Sequence, residues 1–153
     1  MALQAIRRVV TGLDGEGRSA VIIDDCLADM AGRGQAVWRT AAVPADNSGT
    51  GDAAAGSLTV ESLHDPGSLF MVIEFAPGMG ADPFWHATDT IDYIVMMEGE
   101  VDFATETGKV TLGAGDVLVD RGTVHSWSNP HASRALATFA IIPALPVGKG
   151  RTV

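Results

Sequence analysis

The sequence predicts an all-β fold, a sandwich or barrel of short antiparallel strands. Three observations carry this. About ten short runs of β-type residues recur at the spacing of a sandwich or barrel, several of them with clean apolar/polar alternation. The 18 glycines and 7 prolines are scattered between those runs as turn signals and show no collagen-like period. The hydrophobic share of 46% in 153 residues suffices for one buried core without staples.

Taken in order, Ile6 to Val10 and Ala20 to Ile23 read as two β-runs around the turn Gly12 to Gly17, a hairpin at a sheet edge. Only Asp24 to Gly32 has room for a short helix. Ala36 to Val43 reads as a strand stopped by Pro44, and the small, polar stretch Ala45 to Gly56 as an exposed loop, either a lid or simply disordered. Leu69, Met71, Ile73 and Phe75 alternate with Phe70, Val72 and Glu74, a mostly buried strand ended by Pro77 and Gly78.

Further runs follow at Asp92 to Glu98, Val101 to Thr105, Lys109 to Leu112, Val117 to Asp120, His125 to Asn129 and Ala135 to Ile142. The domain reading is a single unit over 1–153, with an N-terminal β extension over 1–35 and a core barrel over about 57–142.

Charge narrows the partners. A formal net charge of -9 disfavours nucleic acid, whose phosphates would repel it. No run approaches the ~20 apolar residues that span a bilayer, and the first residues lack the apolar core of a signal peptide, so a cytoplasmic protein is expected. The single cysteine, Cys26, cannot form an internal disulfide, and beside Asp24 and Asp25 it reads as a small half-buried residue.

Two stretches carry chemistry. In Gly80 to Gly99, His86 and Thr88 lie two apart and so share a strand face, while Asp92 opens the apolar face of Ile94 and Met96. A carboxylate or imidazole on a buried face loses hydration that must be recovered from a partner. In 113–129, His125, Trp127 and Asn129 likewise share a face. Tyr93, next to Asp92, is expected to face away; Trp85 and Trp127 are candidate aromatic walls, and Arg121 a candidate for a substrate carboxylate.

Together these stretches resemble the two motifs of the cupin family. Gly80, His86, Asp92 and Gly99 fall on the spacing of the first motif, and Gly122, His125 and Asn129 on that of the second, over roughly residues 69–142. The wording around RRVVTG, HATDTIDY and DRGTVHSWSN resembles small single-domain cupins, some linked to dehydration steps. The resemblance implies a jelly-roll β-barrel, a double-sheet sandwich with an N-terminal hairpin extension and a pocket in its mouth. It also implies a homodimer, and one divalent metal (Zn, Fe or Mn) held by His86, Asp92 and His125.

The chain departs from the usual three histidines and a glutamate. Thr88 stands at the second histidine position and Asp92 at the glutamate position, so the same pocket also reads as metal-free. Three functions follow for a small-molecule substrate. The first is a lyase or isomerase of dehydratase type, with His86 or His125 as base and Asp92 as acid or orienting partner. The others are an Fe(II) oxygenase on the same three residues and a non-catalytic ligand-binding cupin. In each, Thr88, Trp85, Trp127 and Arg121 are the expected pocket walls.

Overall fold

The computed structural model describes residues 5–27 and 33–153. Ten strands lie among them: β1 (Arg7–Leu13), β2 (Ser19–Cys26), β3 (Gly34–Thr40), β4 (Ser68–Phe75), β5 (Thr90–Glu98), β6 (Glu100–Thr105), β7 (Gly108–Gly113), β8 (Val117–Asp120), β9 (His125–Ser128) and β10 (Ala135–Pro143). The only helical turn among the described residues is a short 3₁₀ piece, Glu61–His64.

All pairings are antiparallel, in sheets of order β3-β4-β10-β5-β8 and β7-β6-β9 and a separate ribbon β1-β2. The all-β expectation holds, and the sheet order is that of a jelly roll. Alternation decides which side of each strand turns inward. In β5, Thr90, Ile94 and Met96 are buried while Tyr93, Val95 and Met97 are exposed, so Tyr93 does face away. The core lies between the two large sheets, where Phe75, Ile94, Met96 and Phe139 meet Val101, Phe103 and Leu112.

Three local expectations change. Asp24 to Cys26 belong to β2 and pair with Arg7 to Val9 of β1, so no helix begins there; residues 28–32 lie outside the described set. The hairpin forms its own two-stranded ribbon, which packs on the sandwich through Ile6 and Leu27 against Val37, Val72 and Leu136. Cys26, expected to be half-buried, is exposed, although its neighbour Leu27 is buried against the sandwich.

The loop 41–56 is pinned by Arg8. Its guanidinium, almost wholly buried, bonds Asp25 (2.6 and 2.9 Å) and Asp52 (2.7 and 3.0 Å), tying the ribbon to that loop.

Candidate functional site

The site begins with a backbone pairing. His86 and His125 form an isolated antiparallel bridge at the start of β9, each N–H donating to the other's carbonyl (3.0 and 2.9 Å). Directly opposed residues put their side chains on one face, so the two imidazoles stand side by side, centroids 4.4 Å apart. Gly122 lets the chain fold this tightly. Its φ is +73°, and a Cβ there would strike the carbonyl oxygens of Thr88 and Thr90, so the β8–β9 turn lies flat against the start of β5.

Hydrogen bonds fix the tautomers. His125 Nδ1 faces the Thr123 carbonyl at 2.8 Å, and His86 Nδ1 faces the Phe84 carbonyl at 3.2 Å. A carbonyl oxygen only accepts, so each Nδ1 carries the hydrogen and each neutral ring keeps its Nε2 lone pair. Behind His125 stands Asp120, buried, with Oδ2 3.0 Å from Nδ1. Phe103 stacks on His125 and Phe84 on His86, and Trp127 meets His125 edge-on.

Asp92 sits directly across the sheet from Asp120. Burial, and then the neighbouring Asp120 charge, push its carboxyl up to about 6, against a lowering hydrogen bond from Thr90 and the opposing influence of His125. The Thr90 hydroxyl donates to Asp92 Oδ1 at 2.7 Å, and the Thr88 and Thr90 hydroxyls are 2.7 Å apart. Since Thr90 has one hydroxyl hydrogen, Thr88 must donate to Thr90, giving a chain Thr88–Thr90–Asp92. His86 is displaced the other way. Burial, followed by the neighbouring His125, lowers its basicity from the usual imidazole value, with smaller raising influences from the Phe84 carbonyl and Asp120.

These groups open on a cavity of about 530 Å³ lined by His86, Thr88, Asp92, His125 and Trp127 together with Met79, Phe139 and Ile141. Five of the seven residues singled out in the sequence therefore meet. Trp85 does not join them; it is 45% exposed and points off the rim, while its neighbour His86 turns inward. Arg121 is exposed on the turn after β8 and does not line the cavity. Sequence reasoning passed over Asp120 and Thr90. Asp120 ends the apolar run Val117–Val119, the same signal of a carboxylate against a buried face that drew attention to Asp92.

The two free Nε2 atoms suit a metal, but the third donor is missing. Among the described residues no group of three or more His, Cys, Asp or Glu side chains is disposed to hold a metal ion. Asp92 is turned onto the Thr90 hydroxyl and Asp120 lies behind His125, on the side away from Nε2. The set expected from the resemblance, His86, Asp92 and His125, is thus not assembled as a three-ligand centre.

Residues 71–141 match the Cupin_2 family, described as a cupin domain, and the jelly-roll sheet order agrees with that match, so this stretch is a cupin domain. Among curated proteins it is 39% identical over 83 residues to "Oryzines biosynthesis cluster protein J" of Aspergillus oryzae, covering 53% of this chain and 45% of that protein. It is also 30% identical over 135 residues to "Cupin-domain-containing oxidoreductase fogC" of Aspergillus ruber, covering 83% and 66%. The match to the first of these spans less than half of the relative's length.

A solved structure, the Cupin_2 domain of an XRE family transcriptional regulator from Enterobacter cloacae, superposes with a TM-score of 0.42 at 20% identity, covering 54% of this chain and 84% of that one. Among the described residues no helix is long and apolar enough to cross a membrane.

Proposed function

We propose that the cavity performs proton transfer on a small oxygenated organic substrate, a dehydration or the related isomerisation. One observation carries this reading: a carboxyl raised to about 6 and an imidazole lowered from its usual value open on the same largely apolar cavity. Opposed displacements of two titratable groups are how one site supplies an acid and a base at the same pH.

In the step proposed, His86 Nε2 removes a proton from the carbon next to a carbonyl. The electron pair forms the new double bond, and the hydroxyl on the next carbon leaves as water with a proton from Asp92. Exchange with solvent then returns a proton to Asp92 and removes one from His86. The Thr88–Thr90–Asp92 chain orients the carboxyl, and Asp120 holds the His125 ring so that its Nε2 faces the substrate.

The test is deuterium wash-in from solvent at the α-carbon of a panel of β-hydroxycarbonyl compounds, read by proton NMR. Wild-type protein is expected to catalyse exchange, with the rate falling as pH rises above about 6 and Asp92 loses its proton. His86→Ala is expected to lose at least ~100-fold, the usual worth of a general base. Full exchange by His86→Ala and Asp92→Asn would sink the reading.

A second reading, an oxidoreductase, draws support from the printed name of the Aspergillus ruber relative. Substrate-dependent oxygen uptake without solvent deuterium at the α-carbon would favour it over the first.

A further inference from the structure

A second cavity of about 640 Å³ lies under loop 41–56 and the 3₁₀ turn, sharing Leu63 and Ile141 with the first. Arg39 lines it. The strand register places Arg39 opposite Leu69, Leu69 opposite Ile141, Ile141 opposite Asp92 and Asp92 opposite Asp120. Opposed residues share a face, so one row on the inner side of the five-stranded sheet carries a guanidinium at one end, two carboxyls at the other and aliphatic side chains between. Three interstrand steps of ~4.8 Å set Arg39 roughly 14 Å from Asp92, backbone to backbone.

Arg39 is also unlike the other arginines drawn into the molecule. Arg8 and Arg134 are ion-paired, and Arg33 and Arg121 are exposed. Among the described residues Arg39 makes one hydrogen bond, from Nη2 to the Ser57 carbonyl at 3.1 Å, and its Nε is buried without a partner. The two aspartates on this cavity, Asp46 and Asp65, are exposed at its rim, and Asp46 already accepts from the Ser48 N–H. A guanidinium drawn to a cavity wall, with no carboxylate among the described residues paired to it, is matched by an anionic ligand.

We propose that Arg39 anchors the carboxylate of an elongated, otherwise apolar substrate. Its chain lies over Leu69 and Ile141 and delivers its far end to Asp92, His86 and His125. The substrate class is an ω-oxygenated medium-chain or arylalkyl carboxylic acid. This rests on the proton-transfer reading for what happens at the far end, but not for the anchoring itself.

The test is calorimetric titration of the intact protein with octanoate and, separately, with octan-1-ol, a pair differing only in the anionic head. Wild-type protein is expected to bind octanoate at least about tenfold more tightly, the usual worth of a hydrogen bond to a charged group. Arg39→Met is expected to bind both alike, and Arg39→Lys, which keeps the charge without the planar fork, to retain part of the preference. Arg121→Met, which removes an exposed arginine outside both cavities, is expected to retain all of it.

No preference in wild type, or a preference unchanged in Arg39→Met, overturns the anchor. If instead the preference follows Arg39 while no deuterium wash-in is found, the anchor stands and the proton-transfer reading falls.

Discussion

Asp92 holds its proton more tightly folded than unfolded, since its carboxyl titrates near 6 in the structure against 3.8 in the free side chain. Between those values the native state carries the extra proton, so stability falls as pH rises from about 4 to about 6 and stays reduced above. Removing the charge should reverse this. Asp92→Asn is expected to unfold at higher urea than wild type at pH 7, by up to about 3 kcal/mol, with the difference vanishing near pH 4.

A destabilising group kept at the mouth of a cavity is the usual trade of stability for chemistry. At this scale the sequence was informative where a polar group interrupts an apolar alternation, as at His86, Asp92 and His125. Trp85 and Arg121, expected as pocket walls, lie off the cavity, because their directions depend on where a turn lets the chain leave the sheet.

The elements that hold the site are strand ends and the turns between them. Asn129, fully buried just past β9, donates from Nδ2 to the carbonyls of Phe75 and Ser133 (2.9 Å each) and accepts the His131 N–H at 3.0 Å. It closes the far end of the strand that begins at His125. Asn129→Ala removes three hydrogen bonds, the one to Phe75 buried and the other two partly so, and is expected to cost about 3 kcal/mol in urea unfolding. The strands themselves were legible because alternation and turn glycines mark them in the chain. The pairing of Asp92 with Asp120 was not, because register between β5 and β8 is set by the folded sheet.

Across the whole molecule, the jelly-roll order sets β5 between β10 and β8, so that Asp92 lies between a hydrophobic row leading to Arg39 and the Asp120–His125 pair. That juxtaposition is long-range, and nothing in local spacing announces it. It accounts for the raised carboxyl and for a cavity whose polar groups gather at one end. Whether Asp92 is a working acid is read from a carbon-13 NMR titration of its side-chain carboxyl. The predicted midpoint is about 6 in wild type, moving down when Asp120→Asn removes the neighbouring charge. A midpoint near 3.8, unmoved by Asp120→Asn, would contradict it.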